Sequence, residues 1–398
     1  MNSRTRSYLQ GRFRDYYRRR QPVETAGSDG PVIPPKATDR EWAYIPFTSG
    51  ERAVMVRHES LLGGDTLGAF LTREQPRHVY HSTAYYGEPG AQVMGAKGWR
   101  GADLVFDLDA DHLPGVDPAR DSFASMLRRC KTATVELLDI LDGEFGFEEV
   151  SVVFSGNRGY HVHVRDEGVG PLSRDARREV VEYIRGEGLV FDSLVTTKML
   201  HGRGGMAQRR QLQTETGWGK RVHDSLLGYL EDLRNRPTDE VIDELTSFDD
   251  IGAERASSIA RVIDRRWDSL QDGEIDLHPD FVRFVRIYAE EMVAGSGPAI
   301  DEPVTTDVHR LIRLPGSLHG ASGLVVKPVD IDELEAFDPL ADAIATMFTS
   351  VEIRIDVTEQ VDFELGGQDH ALSPGEQVIP EFVGVYLMAR GQAEKVRE

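Results

Sequence analysis

The chain has 398 residues, 40% of them apolar, and a formal net charge of −21. That length accommodates two or three domains with a large core, and with no run of ~18 apolar residues a membrane span is not expected. A single cysteine, Cys130, excludes an internal disulfide and fits a reducing cytoplasm, and the first twenty residues hold seven Arg but no apolar stretch of a secretory signal. The 46 basic residues divide into 39 Arg and only 7 Lys. Acidic excess with few lysines points to a protein working in concentrated salt, where self-repulsion is screened within ~3 Å at 1 M. The other reading is a chain that avoids nucleic acid, since its binders are usually basic.

From the start, Ser7 to Tyr17 reads as a helix with Phe13, Tyr16 and Tyr17 as an aromatic stripe, more a packing surface than a stacking one. Gly27 to Pro35 is a Gly/Pro loop. Residues 42 to 95 read as short strands and turns, with Val54-Met55-Val56 and His78-Val79-Tyr80 as candidates. Leu104 to Leu108 is a strand in which Leu104, Phe106 and Leu108 face a core while Asp107 and Asp109 share the opposite face. Residues two apart on a strand are ~7 Å apart, a spacing at which two carboxylates can bridge divalent ions held ~3.5–4 Å apart. The bland alternative is a strand edge blunted by charge.

Asp121 to Glu144 is a long amphipathic helix. Two strands follow, Val150 to Phe154 and Tyr160 to Val164, joined by Ser155-Gly156-Asn157-Arg158-Gly159. Two glycines let backbone approach an anion closely, and Arg158 offers a planar fork for phosphate oxygens; a plain hairpin turn with a solvated Arg158 is the competing reading. His163 shares a face with His161 and reads as a packed or surface side chain. Ser173 to Gly186 is helical, and residues 226 to 294 are patterned as helix through Leu245, Ile259, Trp267 and Val285. Strand-like sequence returns at Leu311, around Leu324-Val325-Val326 and from Val351 to Val357, and a last helix spans Pro380 to Lys395. The stretch from Asp301 to His319 adds a carboxylate, Arg310 and Arg313, and a histidine. The competing reading there is a polar helix before a Pro-Gly turn.

Taken together, the Asp107-Leu108-Asp109 strand led by Lys97-Gly98-Trp99-Arg100-Gly101, the Ser155-Gly156-Asn157-Arg158-Gly159-Tyr160-His161 turn, and Asp301 followed eighteen residues later by His319 resemble the catalytic small subunit of archaeal/eukaryotic-type DNA primase, in a haloarchaeal-like form. The likeness extends over most of the chain, to Val383-Gly384-Val385-Tyr386-Leu387. It implies an α/β (α+β) archaeo-eukaryotic primase core of mixed sheets over 1–225 and 295–398, with a helical insertion at 226–294. It implies that Asp107, Asp109 and Asp301 bind a pair of Mg2+ or Mn2+ ions, and that Ser155, Arg158, His161, Arg313 and His319 hold the incoming triphosphate. Asp301 is preferred to Asp307 because it alone keeps the eighteen-residue spacing to His319; Asp307 then starts a helix, and Asp111 lies behind the pair or in solvent.

The implied activity is template-directed primer synthesis from nucleoside triphosphates on single-stranded DNA with release of pyrophosphate, alongside a large subunit carrying an iron–sulfur cluster and with no membrane. Two departures stand out. Asn157 occupies the first place of what is often an Arg pair, and residues 110 to 149 offer only His112 and Cys130 where relatives often build a zinc knuckle. No structural zinc is therefore expected, and Cys130 should be a buried small hydrophobe. Three rivals remain open: a primer-extending repair polymerase of the same superfamily, a haloacid-dehalogenase-like phosphatase with Asp107 as nucleophile, and a non-catalytic nucleic-acid-binding subunit.

Overall fold

The computed structural model describes residues 1–23, 30–48, 54–61, 66–202 and 205–397; the Gly27–Pro35 loop lies in part outside them. The chain divides into two compact units, one of residues 1–136, 147–178 and 299–398, the other of residues 137–146 and 179–298. No described helix is long and apolar enough to cross a membrane.

The first unit is built on two four-stranded sheets. In one, Pro328–Val329, Val150–Phe154, Gly159–Val164 and Leu104–Asp109 lie side by side, each pair antiparallel. The period-two pattern that marked Leu104 to Leu108 is obeyed: Leu104, Phe106 and Leu108 are fully buried, while Asp107 and Asp109 are partly open. Helix Phe123–Gly143 supplies Cys130 to that buried face, where its thiol donates to the Leu108 carbonyl at 3.3 Å. Cys130 is thus the small buried side chain expected of it. The second sheet orders Leu311–Arg313, His78–Ser82, Trp42–Ile45 and Val56–Glu59, again antiparallel throughout. Its last strand starts at Val56, so Val54 and Met55 fall outside it.

The aromatic stripe of the first helix, Ser3–Arg19, is a packing surface: Phe13, Tyr16 and Tyr17 are buried, and the Tyr16 hydroxyl donates to the Gly316 carbonyl at 2.8 Å. Toward the C-terminus a three-stranded sheet centred on Glu352–Val357 is backed by helix Glu381–Arg390, shorter than expected because Gly391 ends it with φ +79° and Ala393–Lys395 returns as a strand.

The second unit holds the hairpin Val195–Gly202 with Gly205–Leu212, and the helices Gly217–Arg234, Thr238–Leu245, Ala253–Arg265, Trp267–Gln271 and Pro279–Ser296. Its core gathers Trp218, Leu230, Leu245, Ile259, Phe284 and Val285. Those helices include the 226–294 stretch, and the unit reaches further, to residues 137–146 and 179–225.

Candidate active site

The site begins with one backbone contact. The Asp301 amide donates to the Asp107 carbonyl at 2.9 Å, so the start of the short helix Glu302–Thr306 is tied to the carboxylate strand. Asp301 holds the N-cap position of this helix, yet its carboxylate makes no capping bond. An N-cap Asp normally spends its side chain on the orphan amides of the first turn; this one is left for another use. Asp307, expected to start a helix, instead follows the end of this one, and its Oδ1 accepts from the His309 amide at 2.9 Å. The reason is Pro303, whose fixed φ suits the first turn and starts the helix earlier.

Carboxylates crowd here. Burial and then the charge of Asp301 push Asp107 up to about 6. Burial, then Asp107 and Asp111, raise Asp109. Arg310 and Arg313 partly offset this at Asp107. Asp111, placed behind the pair by the sequence, accepts from Arg158 at 2.5 Å. With Asp109 and His112 it forms the one group of three among the described residues whose ligand atoms lie within 4.8 Å of one another, a set able to hold a metal ion. Asp107 and Asp301 are outside that close group. His112 was not anticipated as a ligand; its place, one turn beyond the strand end, was the available signal.

The opposite wall is basic and imidazole-rich. The Ser155–Gly159 turn closes the hairpin: the Ser155 amide donates to the Gly159 carbonyl at 2.8 Å, and the Ser155 hydroxyl accepts from the Gly159 amide at 3.1 Å. Gly159 is required, since a Cβ there would sit 1.9 Å from the Leu108 carbonyl oxygen. Gly156 has φ +81°, and a Cβ on it would come within 2.8 Å of the His319 Cβ. That close approach joins the turn to the 313–320 segment. Arg158 is half exposed, whereas His161 and His319 are buried.

Two side chains not anticipated for the site, His78 and Tyr80, orient Arg313. Its Nη1 donates to His78 Nδ1 at 2.8 Å and to the Tyr80 hydroxyl at 3.0 Å, with the guanidinium 5.2 Å over the Tyr80 ring. His78 also stands edge-on to His319, with ring centroids 5.0 Å apart. Sequence spacing showed only that the two share a strand face, and their tie to Arg313 left no local sign. Burial and neighbouring arginines keep these imidazoles neutral: His78 falls to about 2, His161 to about 3, and His319 well below the usual value. His161 Nε2 lies 3.5 Å from Asp107 Oδ1. A neutral imidazole can still donate one N–H to a phosphate oxygen.

A cavity of about 1240 Å3, lined among others by Val32, Pro35, Ser151, Val153, Lys327 and Phe337, includes none of the three carboxylates; the chemistry is concentrated elsewhere.

All eight residues singled out from the sequence thus lie in the first unit. Asp107, Asp109 and Asp301 are linked by backbone and charge, and Ser155, Arg158, His161, Arg313 and His319 are linked through the Gly156–His319 contact and the charge of Arg313 on both histidines.

Comparison with known proteins bears on this arrangement directly. A family model described as DNA primase small subunit matches residues 106–331, more than half of the chain, and the match includes all eight site residues. The DNA primase small subunit of Haloarcula marismortui is 48% identical over 401 residues, covering 100% of both chains. That of Halobacterium salinarum is 47% identical over 400 residues, again covering 100% of both, and that of Methanococcoides burtonii is 38% identical over 406 residues, covering 99% of each. A phosphatase assignment finds no support in these matches. With Asp107 and Asp109, its Ser-Gly turn and its Asp301–His319 segment inside the matched region, the chain belongs to the DNA primase small-subunit family and is a primase catalytic subunit, a nucleotidyltransferase.

Proposed function

We propose that this subunit joins nucleotides at the carboxylates Asp107, Asp109 and Asp301, with the triphosphate of the incoming nucleotide held by Ser155, Arg158, His161, Arg313 and His319. The observation that carries this reading is the Asp301 amide bonded to the Asp107 carbonyl, beside a carboxylate exempt from capping. Burial and neighbouring carboxylates, Asp301 among those at Asp107, raise the proton affinity of Asp107 and Asp109, a strain that a cation relieves, and an all-oxygen donor set suits Mg2+ or Mn2+. Asp107, Asp109 and Asp301 would hold a pair of such ions, which would supply acidification of an attacking 3′-hydroxyl and charge screening for the pyrophosphate leaving group.

The chain's own part is positioning and charge, which dominate phosphoryl transfer. Arg313, braced by His78 and Tyr80, presents a fixed fork to phosphate oxygens. Arg158 must exchange Asp111 for phosphate when nucleotide arrives, so Asp111 keeps it near the site until then. Neutral His161 and His319 each supply one N–H without competing with the arginines for the anion. The template is single-stranded DNA and the partner a large subunit bringing its own iron–sulfur cluster, since such a cluster needs about four thiolates and this chain has one cysteine. No structural zinc is assigned, because Cys130 is committed to the core.

The test is primer synthesis by the purified chain, with and without a large subunit, at high salt on primer-free single-stranded template. Asp107→Asn should lower synthesis by on the order of 10³-fold while the protein still folds, as followed by circular dichroism. Full activity in that variant overturns the assignment, and extension of a supplied primer with no synthesis on primer-free template indicates the repair-polymerase alternative.

A further inference from the structure

Acidic residues are spread unevenly along this chain. With 67 Asp and Glu among 398 residues, the two longest stretches free of either are 193–214 and 308–329, equal in length, and the next longest is 150–165. Two of these three supply the nucleotide wall: Arg313 and His319 lie in 308–329, and Ser155, Arg158 and His161 in 150–165. Carboxylates repel a polyanion, so an acidic protein gains by clearing them from any surface that meets phosphate. The remaining stretch, 193–214, has no part in that wall and belongs to the second unit.

Most of it folds as a ribbon of two antiparallel strands, Val195–Gly202 and Gly205–Leu212, paired residue for residue from Val195 opposite Leu212 to Gly202 opposite Gly205. No third described strand joins them. Thr196, Thr197, Lys198, Met199 and Gln208 are exposed. Lys198, one of only 7 lysines, stands directly opposite Arg209. Like charges that face each other across a ladder repel, so this pairing favours a bound anion. Arg209 Nη1 donates to Glu274 at 2.7 Å, and on the other face Arg210 donates through Nη2 to Asp276 at 2.6 Å. Each carboxylate balances one arginine and fixes its guanidinium, with further N–H donors on each left over. Lys198 makes no hydrogen bond or ion pair among the described residues and is the unbalanced cation of the ribbon.

What the ribbon lacks narrows its ligand. Residues 193–214 include no Phe, Tyr or Trp, so no such ring is there for an unpaired base to stack on, the usual means of holding a single strand. Thr196 shares the face of Lys198 and Arg209. A hydroxyl, an ammonium and a guanidinium are donor types that contact phosphate and sugar. A two-stranded ribbon also has the width to enter a groove of a double helix. We propose that the face carrying Thr196, Lys198 and Arg209 is a contact surface for the sugar-phosphate backbone of the template–primer duplex. This rests on the reading above that the subunit joins nucleotides on a DNA template. Such a contact reads no base, so it serves a product of any sequence.

The test uses the full-length chain and the fluorescence anisotropy of a labelled primed template, in chelator and without nucleoside triphosphate, over a salt series. Lys198→Gln should weaken binding about tenfold at the low-salt end, alike on duplexes of unrelated sequence. It should also reduce the slope of log affinity against log salt by about 1. Lys198→Arg should restore both readouts, and bare single-stranded template should lose less than the duplex. Unchanged duplex affinity and slope in Lys198→Gln overturn the proposal, as does an Arg variant no better than Gln. An equal loss on the bare single strand overturns the duplex as occupant. A loss confined to association with a large subunit overturns it too, making the ribbon a protein-docking surface. If Asp107→Asn keeps full synthesis, the nucleotide-site reading fails, while anisotropy in chelator, which needs no cation at those carboxylates, still judges the ribbon.

Discussion

Asp107 shows what the proposed cation site demands of a single side chain. Its folded-state pKa of about 6 lies above the ordinary carboxylate value near 3.8, because burial and Asp301 both oppose its charge. In metal-free protein the native state therefore binds more protons than the unfolded chain between these two values. Stability from this group is full below about 4 and is lost as pH rises through about 6, by up to about 3 kcal/mol. Calorimetry in chelator should find Asp107→Asn melting higher than the parent protein above pH 6, with the difference shrinking toward pH 4. Saturating divalent cation should narrow that gap from the other side, since it stabilises only the parent. That Asp107 and Asp109 share one strand face was legible because a strand pattern announces its two faces. His78 and Tyr80 were not, because their role is defined by Arg313, more than 230 positions away, and nothing local in His-Val-Tyr distinguishes a brace from an ordinary strand.

At the scale of elements, the hairpin Val150–Phe154 and Gly159–Val164 is the part that sequence described best. Two short runs rich in valine and aromatic residues on either side of a Gly-containing turn fixed it locally, and the second run is buried along its whole length. Gly159→Ala should test how much the site depends on it. A methyl group 1.9 Å from the Leu108 carbonyl cannot be accommodated without parting the turn from the carboxylate strand, so a thermal melt should show a loss of at least about 2 kcal/mol together with loss of synthesis. The hairpin Val195–Gly202 with Gly205–Leu212 escaped notice: Thr-Thr-Lys-Met and Gln-Arg-Arg-Gln lack the apolar alternation that marks a strand. The hairpin Val361–Leu365 with Gln368–Leu372 escaped too, although Gly366 and Gly367, both at positive φ, are the two-residue turn such ladders favour.

For the whole molecule, a net charge of −21 sets the working medium. Full-length relatives from Haloarcula and Halobacterium fit the salt reading of this composition. Lowering salt from 1 M to 0.1 M lengthens the screening distance from about 3 to about 10 Å, so acidic groups across the surface begin to repel one another. The melting temperature should fall steadily over that range in differential scanning calorimetry; a flat profile would show that the charge excess has no bearing on stability. The division into two units was legible only in part. Helical patterning marked 226–294, but a unit that also draws on residues 137–146 and 179–225 cannot be recognised from local periodicity, which says nothing about which distant segments share a core.

What sequence alone determined was chemistry in order: two carboxylates on one strand face, a glycine turn with an arginine, and an Asp–His pair eighteen residues apart. These are local properties, set by backbone periodicity and by residues that tolerate special turns. Only the tertiary structure decided how Asp301 is tied to that strand, through its amide on the Asp107 carbonyl, and how Arg313 is braced by His78 and Tyr80. Those outcomes depend on packing between segments far apart in the chain, where free energy is shared among many contacts and leaves no local trace.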